Sequence, residues 1–209
     1  NSSKKETLAD IATAMAGTGL DLSIQFWTSR GWGVVDVNYG GSSGFGREYR
    51  DRLRGNWGVV DVLDCTKAAQ SLISCGKADK DRIAIIGSSA SGFTALGCLI
   101  SNDIFNIGAC KYPVTDLIGM ANLTHRFEEF YLDYLIGNIE TDYEKYLQRS
   151  PIEQVNKINK PLILFHGLKD KVVPPDQSKA IKGELLKREI NVETYLFENE
   201  GHGFKDGKV

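Results

Sequence analysis

Apolar residues in this chain fall alternately into short continuous runs and into spaced repeats, a texture that predicts strands interleaved with helices. The runs Ile83-Ala84-Ile85-Ile86, Ile107 to Cys110, residues 161 to 166 and Val192 to Phe197 have the length and composition of strands. Gly33-Val34-Val35-Asp36-Val37 predicts one more. Between the runs, Val59, Val62, Leu63, Ala69 and Ile73 recur at helical spacing, with Asp61 and Asp64 in the early turns and Gly76 as the stop. Leu20 to Arg30 predicts a helix stopped by Gly31. Residues 91 to 101 predict another, and Gln177 to Arg188, with Ile181 and Leu185 four apart, a third. Asp176, after Pro174-Pro175, fits the N-cap of that last helix. From Thr115 to Gln148 the chain is rich in Tyr, Phe and acidic residues with little strand signal, which predicts helical material inserted over the rest. Strands alternating with helices give an α/β fold, a mostly parallel sheet with helices on both faces. No internal repeat is present, which excludes propeller and solenoid architectures for these residues.

Composition narrows the function classes. At 209 residues the chain fits one domain, large enough to bury about 70% of its unfolded surface. Residues 1–19, polar and then rich in Ala, Gly and Thr, are expected to form a poorly structured amino-terminal segment ahead of a domain spanning 20–209. With 25 basic and 27 acidic residues, no electrostatic footprint points to nucleic acid or an anionic membrane surface as partner. The longest apolar runs are about five residues, against the ~20 a spanning helix needs, so no membrane span is expected. Cys65, Cys75, Cys98 and Cys110 show no C-x-x-C spacing, and reduced thiols in a cytoplasmic protein are expected. No His/Cys/Asp/Glu cluster has metal-ligand spacing, so no metal is expected. The loop from Gly40 to Gly46 lacks the Lys-Ser/Thr of a phosphate cradle, and no cofactor is expected.

Candidate chemistry lies just past the strand runs. Gly87-Ser88-Ser89-Ala90-Ser91-Gly92 follows the run 83–86 and precedes a helical pattern, as a nucleophile elbow does; Ser91 stands where G-x-S-x-G has its second glycine. Only Ser89 sits two residues beyond Gly87. A serine hydroxyl is a weak nucleophile, so it needs a histidine to take its proton and a carboxylate to orient that histidine. Asp170 follows the strand run 161 to 166, and His202 follows the run 192–197 with glycine on both sides. The order Ser, Asp, His is that of α/β hydrolases, and loops past the carboxyl ends of parallel strands share one edge. Of the other histidines, His166 closes a buried-looking strand and suits a packed, hydrogen-bonded role, and His125 suits the surface or core.

These motifs, together with Val37-Asn38-Tyr39-Gly40-Gly41-Ser42-Ser43-Gly44-Phe45-Gly46, Asn56-Trp57-Gly58, Arg149-Ser150-Pro151-Ile152 and Asp170-Lys171-Val172-Val173-Pro174-Pro175, make the chain resemble the catalytic domain of the prolyl oligopeptidase family of serine peptidases from Leu20 through Phe204. The resemblance implies an α/β-hydrolase fold, peptides as substrates, Ser89 as nucleophile, Asp170 as orienting acid and His202 as base. It also implies the Ala90 amide as an oxyanion donor, and places Val114, Leu117 and Val173 where the family lines the pocket for the residue before the scissile bond. The first strands of such domains, and the H-G-G-P-type loop that supplies a second oxyanion donor, have no counterpart in residues 1–19. With one donor lost, a rate about 10²- to 10³-fold lower is expected. The missing strands would leave residues 33–37 as an open edge and invite self-association as a homo-oligomer. A first residue other than Met and an end just past His202 suggest a fragment. The alternatives are a carboxylesterase or thioesterase sharing the elbow, and a non-catalytic fragment acting as a binding or dimerising module.

Overall fold

The computed structural model describes residues 19–123 and 129–205. The expectations for residues 1–18 and for His125 lie outside these. Among the described residues the strands are β1 (Ala84–Ser88), β2 (Ile107–Lys111), β3 (Leu162–Gly167) and β4 (Val192–Phe197), lying in chain order and paired in parallel throughout. Parallel neighbours need long crossovers. Ahead of β1 run α1 (Leu22–Thr28), α2 (Arg47–Asp51) and α3 (Val60–Ser74); α4 (Ala90–Ser101) connects β1 to β2. Then α5 (Leu117–Leu123), α6 (Glu129–Leu135) and α7 (Ile139–Arg149) form the helical insertion, and α8 (Asp176–Lys187) connects β3 to β4.

The register sorts the sheet into two unequal faces. In the parallel ladder Gly87, Cys110, Leu164 and Thr194 stand side by side, as do Ile86, Ala109, Ile163 and Glu193 on the opposite pleat. The first set points to a core in which Leu96 and Leu99 of α4, Phe105, Cys110, Leu162, Leu164 and the α8 residues Ile181 and Leu185 are all buried. On the second, Ile86 is 54% and Tyr195 48% exposed, with Phe165 stacked on Tyr195 at 5.3 Å between centroids. Helical cover is therefore seen on one face among the described residues. A second core cluster joins the glycine-rich loop, the elbow helix and the insertion through Tyr39, Trp57, Phe93, Leu135 and Tyr146, with the Trp57 and Phe93 rings 4.3 Å apart.

Two local expectations are corrected. Residues 33–37 form no strand: they join no ladder among the described residues, and Val35 is 56% exposed. A segment of strand composition becomes a strand only against a partner that takes up its N–H and C=O groups, and residues 33–37 have no such partner strand among the described residues. The outer strands of the sheet among the described residues are consequently β1 and β4. Asp176 is not a cap: Pro175 already has helical angles (φ −62, ψ −16) and occupies the cap, which makes Asp176 the first helical residue, paired with Lys179 at 2.9 Å. No helix among the described residues is long and apolar enough to cross a membrane.

Candidate active site

The ladder aligns Ser88, Lys111, Phe165 and Tyr195 across the sheet, so the residues immediately following them share one rim. Ser89 opens that rim. Its backbone (φ 53, ψ −118) turns β1 sharply into α4, and its amide donates to the Lys111 carbonyl at 2.9 Å, tying the turn to β2. Gly87 is required by proximity, because a Cβ there would meet the Ser91 carbonyl oxygen at 2.1 Å. Ser91 fits where a second glycine was expected: its hydroxyl turns back to donate to the Ser88 carbonyl at 2.9 Å. Ala90 is fully buried at the first turn of α4, where a helix amide has no intrahelical acceptor.

His202 and Asp170 arrive at the same rim from the other end of the sheet. The loop after β4 lies directly over Gly167, where a Cβ would collide with the Glu200 carbonyl at 2.4 Å, and the Lys169 amide donates to that carbonyl at 2.8 Å. His202 Nε2 lies 3.0 Å from Ser89 Oγ, and its Nδ1 2.7 Å from Asp170 Oδ2. The other Asp170 oxygen accepts the amides of Val172 at 2.9 Å and Val173 at 3.0 Å. A carboxylate accepts only, so Nδ1 carries the imidazole hydrogen and Nε2 is free to accept from the hydroxyl. Ser89 is closed to solvent and the His202 side chain is 14% exposed.

The three candidates, distant in sequence, thus form one hydrogen-bonded line. Burial pushes the Asp170 carboxyl upward, but hydrogen bonds from His166 and His202, the charge of the His202 imidazole and the Val173 amide outweigh it and hold the group well below the usual carboxylate range. His166 is fully buried, with Nδ1 2.7 Å from the Ser178 hydroxyl and Nε2 2.9 Å from the Val173 carbonyl and 3.5 Å from Asp170 Oδ2. A carbonyl only accepts, so this Nε2 carries the hydrogen and the ring braces the aspartate. Val114, Leu117 and Val173 come together with Ala90 in one cluster, each fully buried, so they line no open pocket in this structure. Among the described residues no group of three or more His, Cys, Asp or Glu is placed to hold a metal ion.

Two rim residues were not singled out from sequence. Tyr112, directly after β2, and Phe204, two residues past His202, both have left-handed backbones (φ 38 and φ 41), and the Tyr112 ring lies 4.4 Å from the His202 ring. The position of Tyr112 just past a strand, where Ser89 also sits, was the available signal.

Comparison with known proteins agrees with this architecture. The chain is 31% identical over 194 residues to dipeptidyl aminopeptidase BIII of Pseudoxanthomonas mexicana, covering 86% of this chain and 27% of that protein. It superposes on a puromycin hydrolase with a TM-score of 0.89 at 46% identity, over 92% of this chain and 29% of the other. A puromycin-hydrolyzing peptidase of Mycobacterium tuberculosis gives 0.90 at 44% identity, over 92% and 30%. The chain spans about a quarter of the length of the curated relatives it matches. The model of the prolyl oligopeptidase family matches residues 18–209, which take in every described residue, and the chain belongs to the prolyl oligopeptidase family.

Proposed function

We propose that this chain is the catalytic region of a serine peptidase that cleaves peptide bonds of oligopeptides through an acyl-enzyme. Ser89 Oγ attacks the scissile carbonyl carbon while His202 Nε2 takes its proton. The C–N bond then breaks as His202 returns that proton to the departing amine. A water deprotonated by the same nitrogen attacks the ester, the acid leaves, and Ser89 regains its hydrogen. Asp170 stays ionised throughout, holding Nδ1–H and stabilising the imidazolium, and the Ala90 amide donates to the oxyanion. The observation that carries this reading is the unbroken line from Ser89 Oγ to His202 at 3.0 Å and on to Asp170 at 2.7 Å. The four free cysteines fit a reducing, cytoplasmic setting.

A fluorophosphonate probe tests it. The wild-type chain is expected to be labelled at Ser89 and Ser89→Ala not at all; a folded wild-type sample that resists labelling overturns the reading. Because Ser89 is closed to solvent here, labelling also measures whether the rim opens. Short peptide amides set against aryl esters separate a peptidase from an esterase, since an amine leaves only when protonated.

A further inference from the structure

Among the described residues, non-glycine positions with left-handed backbone are Ser89, Tyr112, Glu189 and Phe204. Glu189 follows the Arg188 cap at the end of α8, a place where helices commonly terminate in this conformation. Of the other three, Ser89 and Tyr112 touch one imidazole, and Phe204 packs on Tyr112. Left-handed backbone is a genuine outlier for a bulky aromatic residue and persists only where its surroundings over-determine it, a condition concentrated at functional sites.

We propose that Tyr112 and Phe204 form an aromatic clamp that fixes the His202 ring in the orientation from which Nε2 reaches Ser89. Both are then positioning residues, and the proposal rests on the reading of His202 as the general base. The Tyr112 amide donates to the Phe165 carbonyl at 2.6 Å, which pins the strained backbone at the end of β2. Its ring lies 4.4 Å from the His202 ring at 53°, and the Phe204 ring meets the Tyr112 ring edge-on at 5.0 Å and 83°. Phe204 in turn packs on Phe197, the last residue of β4, at 5.1 Å and 70°. The imidazole is thus buttressed through rings anchored on two strand ends. It needs that support, because Gly201 and Gly203 (φ +99) flank His202 and give its backbone little intrinsic restraint. The Asp170 hydrogen bond selects the tautomer, and the clamp selects the side-chain angle.

The test separates this role from structural support. Tyr112→Gly removes the ring and also relieves the left-handed strain, so its thermal midpoint is expected to match or exceed that of the wild type. Its rate of fluorophosphonate labelling at Ser89 is expected to fall about 10- to 100-fold, the scale of a catalytic group displaced by roughly an ångström. Tyr112→Phe keeps the ring and is expected to label at close to the wild-type rate, and Phe204→Gly to behave like Tyr112→Gly should the latter fail to fold. Labelling of a folded glycine variant within about twofold of wild type overturns the clamp. So does a rate that falls only in step with the thermal midpoint. Failure of the underlying reading looks different: wild type unlabelled, or His202→Ala labelled as fast as wild type, removes the base assignment and the clamp with it.

Discussion

Two buried aspartates, Asp170 on the rim and Asp61 behind the elbow helix, meet the same physics and end with opposite proton affinities. Asp61, on α3, is fully enclosed and accepts only neutral hydrogen bonds, from the Gly58 amide at 2.7 Å and from the Thr94 hydroxyl of α4. Burial dominates there and raises its carboxyl above the ordinary value. Asp170 is nearly as enclosed, yet two imidazoles and backbone amides overcome the desolvation and keep it ionised. Burial alone therefore says nothing about the charge of a carboxylate; the donors facing it decide. One region maintains a charge beside His202, and the other uses a carboxyl group to tie two helices together.

The largest expected effect comes from Asp170→Asn. Turning an amide nitrogen toward His202 Nδ1 favours the tautomer with its hydrogen on Nε2, which cannot accept from Ser89. A fall of about 10⁴-fold in turnover is expected, together with a lower thermal midpoint at pH 7, because the stability that the ionised carboxylate adds is lost with it. Hydrolysis of a peptide amide, read alongside a melting curve, checks both halves, and an unchanged rate would erase the functional side of the contrast.

Thr94→Val addresses the other aspartate. The substitution keeps shape but deletes the hydroxyl that Asp61 binds, leaving a buried acceptor underpaired at a cost of about 1–3 kcal/mol. Urea unfolding is expected to show that loss while the Ser89 labelling rate stays within about tenfold of wild type. A rate that collapses as it does in Asp170→Asn would mean the helix tie acts directly on the chemistry.

How much of this was legible in the chain follows from which signals are local. β1 to β4 are legible as apolar runs closed by glycine or polar residues, and Ser89, Asp170 and His202 each lie just past such a run, so one pattern marks both the strands and the candidate chemistry. Gly33 to Val37 carried the same local signal without a strand, because a ladder partner is not a property of the segment itself. Which face of its strand each of Ile86, Phe165 and Tyr195 takes is not written in the run itself, and the register puts them on the less covered face. Tyr112 carries only its place just past a strand run and Phe204 no local marker: a left-handed backbone at a tyrosine and a ring stack spanning residues 112, 197, 202 and 204 exist only once the sheet has formed. Asp61 was read correctly as an early-turn acid of its helix, but its bond to Thr94 joins positions 33 apart.

Asp61→Asn should have the smallest effect, and its sign is the most discriminating. A carboxyl raised in the folded state charges the fold a penalty once the unfolded chain ionises, so its cost is absent below about pH 4 and present above the folded value. Asp170 runs the other way: its depressed value adds stability above about pH 4, which is lost as the pH falls through its lower folded value. In Asp61→Asn the amide oxygen keeps the Gly58 N–H, while Thr94 can accept from the new amide nitrogen and turn its own hydrogen to the Ala90 carbonyl, 3.4 Å away. The variant should therefore equal the wild type or exceed it by up to about 1 kcal/mol at pH 7, with the difference vanishing near pH 4 and labelling of Ser89 unaffected. Urea midpoints at the two pH values decide it. A variant clearly weaker at pH 7 would show that the ionised carboxylate at position 61 stabilises the fold, making the two aspartates alike after all.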